Sequence, residues 1–242
     1  MAYHHKLQIP SSCEINQIIA KDLFYSQAQL TNKEKDLIKM NISRITCLYS
    51  LKPATINVKA YKDPLREYEE LLVIQMAVRE DRSLDRLAEI LMRTIPYPML
   101  LFATWEEKIK LYAAHQRTNQ NDPTKNTIEE VVATDWVMEN SSLFERLNIT
   151  NMRFRNLYAL YDDFVSAVYQ FKVEEILNHP ADLTPEEARD LSLTIQRLDE
   201  EMTSLKGKLK RETQFNRKME LNIQMKKLEQ QRQQLTGGKN HE

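Results

Sequence analysis

The last sixty residues carry the pattern that most restricts what this chain can become. Apolar side chains recur at Leu191, Ile195, Leu198, Met202, Leu205 and Leu209, alternating steps of four and three that place them on one helical stripe. Similar spacing returns at Leu221, Met225, Leu228 and Leu235, with Arg232 in the one polar slot. A stripe this narrow cannot bury itself, so the segment asks for a facing helix. Its charge also changes sign. Residues 182–201 hold seven acidic and two basic residues, whereas 206–218 hold six basic and one acidic. Two such helices crossing near Met202 match in charge only when antiparallel, which predicts an antiparallel dimer if the tail self-associates. Thr184 as N-cap, Pro185 at the first position and acids in the first turn open this helix. Continued to about Leu235 it spans on the order of 75 Å. The rival is a hairpin folded at Gly207, since glycine in a helix interior costs about 1 kcal/mol relative to alanine. The heptad phase shifts between Leu209 and Leu221. That suggests two packing surfaces joined by a polar segment around Phe215 and Asn216 rather than one continuous seam.

Elsewhere the chain is limited by what it lacks. With three glycines in 242 residues, two of them Gly237 and Gly238, no Walker loop and no dinucleotide fingerprint can be written. The net charge of −1 argues against a globally basic nucleic-acid binder but leaves local patches open. Cys13 and Cys47 show no metal-type spacing and read as small buried apolar residues of a reducing compartment. No stretch reaches the ~18 uninterrupted apolar residues of a membrane span, and the N-terminus lacks a signal-peptide core, so the expected location is cytoplasmic.

The first 120 residues mix helix and strand. Ser11 and Ser12 are candidate caps for a helix carrying Ile15, Ile18 and Ile19, and Thr31 with Glu34 is a capping box. Residues 42–49 and 55–61 read as strands, the second alternating Ile56 and Val58 against Asn57 and Lys59. The nearly continuous apolar run 70–78 reads as a central strand buried on both faces. Ser83 caps a helix with Leu84, Leu87, Ile90, Leu91 and Ile95 inward, and Pro96 stops it. Residues 99–104 and 108–115 form a hairpin around Trp105-Glu106-Glu107. A polar loop over 118–127, a helix over 151–177 and the tail complete the chain. The expected class is α+β: a mixed sheet with packed helices over 1–120, a helical extension over 121–180, and a long coiled-coil helix over 181–242.

Candidate sites are few. His4, His5 and His241 read as mobile ends without metal-ligand spacing. His115, beside Arg117 at a strand end, could face a cleft, but nothing nearby in sequence orients it. Helix, three strands, helix, strand is also the core order of restriction-endonuclease-like nucleases. Those need paired carboxylates for Mg²⁺ and a lysine. Here Asp63 falls in a turn, and Gln75 is followed by Ala77 where the lysine would stand. No catalytic set, cofactor or metal site emerges. Lys206, Lys208, Lys210, Arg211, Arg217 and Lys218 could follow a phosphate backbone, with Phe215 as the one aromatic among them.

Four patches stand out together: Lys21-x-x-Phe24-Tyr25; Tyr49-x-Leu51 leading to Thr55-Ile56-Asn57; the strand through Gln75 followed by Ile95-Pro96; and Glu212-x-x-Phe215-Asn216 with Leu221-Asn222. In that order they resemble one bacterial family, domain of unknown function family 4391. Ser50 departs from the pattern, since similar proteins tend to carry lysine there. The resemblance implies a genomic setting beside helicases and DNA methyltransferases of restriction or phage-defence type. It implies no activity. The resulting expectation is a non-enzymatic adaptor that assembles with such enzymes through its tail. The stripe Leu191, Ile195, Leu198, Met202, Leu205, Leu209, Leu221, Met225 and Leu228 would carry association. Phe215, Asn216 and Asn222, as residues near the seam, would set specificity. A degenerate nuclease-like DNA-binding subunit and a structural homodimer are the alternatives.

Overall fold

Two apolar strands, β5 (Leu71–Val78) and β6 (Met99–Trp105), form the centre of a mixed sheet, with β2 (Ile42–Leu51) beside β5. In the computed structural model, which describes residues 3–27, 30–119 and 126–237, the order is β1-β2-β5-β6-β7-β10, with β11 also on β7. Here β1 is Glu14–Ile18, β7 Lys108–Ala113, β10 Val132–Ala133 and β11 Val137–Met138. Among the described residues of this sheet, only β5 and β6 run parallel. Their crossover is helix α4 (Leu84–Thr94), as parallel neighbours require a long connection. The chain divides into two compact units, Met1–Val168 and Tyr169–Glu242.

In the first unit, α1 (Lys21–Gln27), α2 (Asn32–Asn41) and α4 supply apolar side chains to one core. Leu87 and Leu91 of α4 are fully buried with Phe24, Ile38, Ile74, Met76 and Leu101. Each such leucine contributes about 1.5–3 kcal/mol by burial. Phe102 joins a second cluster, its ring 5.1 Å from Tyr3 and 6.4 Å from Phe144 of α5 (Leu143–Arg146). The sheet is therefore lined with apolar side chains on both faces, as the continuous run 70–78 requires. Thr31 caps α2 by accepting the Glu34 N–H, and Glu34 returns the bond to the Thr31 N–H at 2.7 Å.

Several expectations are overturned. The segment expected as a second strand is α3 (Pro53–Ile56), one helical turn ended by left-handed Asn57 (φ 57°), a residue type that tolerates that geometry. Thr55 Oγ1 accepts the Lys52 N–H at 2.9 Å and fixes the turn. The chain then makes a small ribbon, β3 (Tyr61–Lys62) with β4 (Glu67–Tyr68), so β2 pairs directly with β5. Residues after Ser11 and Ser12 form the edge strand β1, all five exposed, rather than a helix. Ser83 precedes α4 in left-handed geometry and makes no side-chain cap. His4 does not lie on a loose end: Tyr3 is buried, and His4 Nδ1 lies 3.0 Å from Tyr49 Oη. Residues 120–125 of the expected polar loop, together with Gly238 and His241, lie outside the described residues. The flanks of that loop pair as β8 (Gln116–Thr118) and β9 (Asn126–Ile128). The helix expected from 151 begins later, as α6 (Leu157–Leu177).

The second unit holds α7 (Pro185–Arg211) and α8 (Phe215–Leu235). The expected single rod is therefore two helices, and the break is not at Gly207, which continues inside α7. It falls at Glu212–Gln214, where the Glu212 carboxylate accepts the N–H groups of Thr213 and Gln214 at 2.8 and 2.9 Å. Those bonds to the ionised form hold the Glu212 pKa below the usual carboxylate range. The Thr184 capping box opens α7 as the sequence indicates. Among the described residues no helix is long and apolar enough to cross a membrane.

Candidate functional site

The three-residue connection turns α8 back along α7, so the two apolar stripes belong to one antiparallel hairpin. Met202 and Met225 are the buried centre of the seam; Leu198, Leu205, Leu209, Leu221 and Leu228 are half-buried. Ile195 is buried and Leu191 half-buried nearer the start of α7. The polar slot has a purpose: Arg232 Nε and its second guanidinium nitrogen approach the two Asp199 oxygens at 2.7 and 3.4 Å. At this exposure the pair contributes modestly, about 0.2–1 kcal/mol. Its larger effect is on register. The hairpin does not set the acidic 182–201 segment beside the basic 206–218 segment, as an antiparallel dimer would; it gathers the basic residues of both helices around the turn. Phe215, Asn216 and Asn222 are exposed, not on the seam as expected. The phase shift between Leu209 and Leu221 is the hairpin turn.

One flank of the hairpin is an open groove. Near its middle it is lined by Glu201, Ser204, Leu205, Gln224, Leu228 and Gln231, and it continues toward the turn past Lys208, Arg211, Arg217 and Leu221. The six basic residues Lys206, Lys208, Lys210, Arg211, Arg217 and Lys218 are all exposed around that turn.

The other polar concentration lies in the first unit, beyond the end of β7. His115 is 3% exposed. Its Nδ1 lies 2.9 Å from the Tyr68 hydroxyl, and its Nε2 lies 3.3 Å from Asp162 Oδ1, close but off the line of a well-directed hydrogen bond. The Tyr68 hydroxyl accepts the Gln116 N–H at 3.2 Å. The same hydroxyl donates toward the Gln116 carbonyl at 3.4 Å. Arg153 also binds Asp162, at 3.1 Å. Tyr158 stacks on Tyr61 at 4.9 Å, and the Arg66 guanidinium lies 5.6 Å over the Tyr158 ring while pairing with Glu129 at 2.6 Å.

The orienting group for His115 therefore exists, 47 residues away. Yet the ring is shielded from solvent and packed among Tyr68, Tyr158 and Tyr161, which leaves a substrate no access to it. The set fastens α6 and the β3–β4 ribbon to the sheet. His115, then Arg153, hold the Asp162 pKa below the usual carboxylate range. A depressed carboxylate adds stability above its unfolded pKa of ~3.9 that is lost as pH falls through the folded value. Asp162→Asn is therefore expected to lower the urea midpoint at pH 7 and to cost much less at pH 3. An equal loss at both values would remove Asp162 from the acid response.

The nuclease-type positions are otherwise engaged. Asp63 Oδ1 accepts the N–H groups of Leu65 and Arg66 at 2.7 and 2.6 Å, and Gln75 Nε2 donates to Thr104 Oγ1 at 3.3 Å. Cys13 and Cys47 are free and buried, and burial raises the Cys47 pKa to about 11, away from thiolate chemistry. Among the described residues no group of three His, Cys, Asp or Glu side chains could hold a metal ion.

The four resemblance patches divide by burial. Phe24, Tyr49 and Leu51 are core residues, and the buried Ser50 donates to Glu70, which also pairs with Lys52 at 3.3 Å. In the tail, Glu212 closes the turn while Phe215, Asn216 and Asn222 face solvent. No curated protein and no solved structure matches the chain. Residues 7–231 match the family described as Domain of unknown function (DUF4391), and the chain belongs to that family.

Proposed function

We propose that this protein is a non-enzymatic adaptor that assembles, through its C-terminal hairpin, with a DNA-processing enzyme of restriction or phage-defence type, a helicase or a DNA methyltransferase. The observation that carries this reading is the open groove with Leu205, Leu221 and Leu228 half-buried along it. Two helices packed as a coiled coil cover only part of each other's stripe, and a third amphipathic helix laid in the groove would cover the rest. The burial of His115 and the engaged Asp63 and Gln75 favour an assembly role over a reaction. Specificity would come from the polar rim of Glu201, Gln224 and Gln231.

Co-expression with a helicase and with a DNA methyltransferase of the kind the family resemblance implies tests the proposal. The intact chain is expected to retain one of them on affinity resin, and removal of residues 182–242 is expected to release it. Leu205→Glu with Leu228→Glu should do the same while circular dichroism shows the helices kept. Retention by the truncated chain would refute the arm as the docking element.

A further inference from the structure

We infer that the turn end of the hairpin binds single-stranded nucleic acid. This goes beyond the adaptor reading and uses the turn end of the hairpin, where Lys208, Arg211 and Arg217 line the last part of the groove, with the outward face of α8. Lys206, Lys208, Lys210 and Arg211 close α7, and Arg217 and Lys218 lie in the first turns of α8. At 1.5 Å rise per residue, all six lie within about 9 Å of the turn along the hairpin axis. Each is exposed, and none lies within 4.0 Å of a carboxylate oxygen among the described residues. Two acids share the region, Glu212 and Glu220, and Glu212 is committed to the backbone of the turn. The result is a dense cationic end on a chain whose net charge is −1. Acidic residues elsewhere leave it undiluted, because the Debye length at physiological salt is only about 8 Å.

Charge alone would suit any polyanion. The side chains beside it narrow the class. Phe215, Met219 and Ile223 follow one another at four-residue steps along α8 and are 73%, 50% and 64% exposed. They form a ridge directed away from the seam residues Leu221, Met225 and Leu228. Phe215 heads the ridge amid the cations, where a strand whose phosphates lie on those cations would bring its bases onto the ring. Base stacking on an aromatic needs an unpaired base, and a duplex keeps its base faces covered. An acidic protein segment would use the cations but would gain little from a lone protruding ring.

Fluorescence anisotropy on the full chain tests this with labelled 20-nucleotide dT and U oligomers, a 20-base-pair duplex and polyglutamate. Six phosphate contacts to a single strand predict a slope of log K against log salt of about −4, and about −3 for Lys210→Gln with Arg211→Gln. Phe215→Ala is expected to weaken single-strand binding about 5- to 100-fold while leaving duplex binding nearly unchanged. The dT and U arms tell whether DNA or RNA is preferred, and either preference supports the site. Leu205→Glu is expected to leave oligomer binding intact, so loss of the protein partner and loss of the strand are separable. Equal binding of duplex, polyglutamate and single strand, unmoved by Phe215→Ala, would overturn the inference in favour of an acidic protein surface.

Discussion

Tyr161→Phe is expected to destabilise the first unit by about 2–4 kcal/mol, although it removes one oxygen and opens almost no space. The Tyr161 hydroxyl is buried. It accepts the Ala114 N–H at 3.2 Å and lies 2.8 Å from the Met99 carbonyl and 3.0 Å from that of Ala114. One phenol thus ties α6 to β6 and to the segment leaving β7. Phenylalanine fills the same volume but leaves a buried donor and a buried acceptor without partners, each costing about 1–3 kcal/mol. Urea denaturation should show a lower midpoint at unchanged slope, and the melting temperature should fall by about 5–10 °C for a unit of this size. A shift under about 0.5 kcal/mol, the range of ordinary surface substitutions, would mean that water or a neighbouring group replaces the phenol.

Met225→Asp is expected to open the hairpin. Met225 is 8% exposed, the one buried side chain of α8. The one cation of that stripe, Arg232, is held by Asp199, so a carboxylate at 225 is left unpaired, and burying an unpaired charge costs several kcal/mol. Against this, α8 has little of its own to spend: a lone helix of 21 residues with a single buried side chain is marginal in water. Far-UV circular dichroism should lose helix signal, and limited proteolysis should begin to cut within 212–235 while the first unit survives. The opposite change is Gly207→Ala. A Cβ at Gly207 meets nothing within 4 Å, so alanine should stabilise α7 by about 0.8–1 kcal/mol. If Met225→Asp kept full helicity and protease resistance, the seam would not be what holds α8.

The outcome for each element has a local reason. β2, β5, the β6–β7 hairpin and α4 were legible because each is long and strongly patterned, and Pro96 and the Thr31 and Thr184 capping boxes punctuate the chain. The strand expected over 55–61 failed because Ile56 and Val58 alternate by accident across a helical turn and its left-handed exit at Asn57. β1 was missed because all five of its residues are exposed at a sheet edge, so it carries no inward face to read. Heptads announce that a helix has a partner but are silent on whether that partner is another chain. The hairpin turn, Glu212-Thr213-Gln214, contains neither glycine nor proline to mark it. Its signal was the side chain of Glu212 and the slip in heptad phase. The set around His115 was invisible for a different reason: Tyr68 and Asp162 each lie 47 residues away, and no periodicity links them.

Because three residues join α7 to α8, each helix meets its partner at an effective concentration on the order of millimolar. Assembly of the seam is then a first-order event, indifferent to how many copies of the protein a cell holds. A two-chain coiled coil with the same side chains would fade on dilution. This arm would be as complete at a few molecules per cell as at thousands.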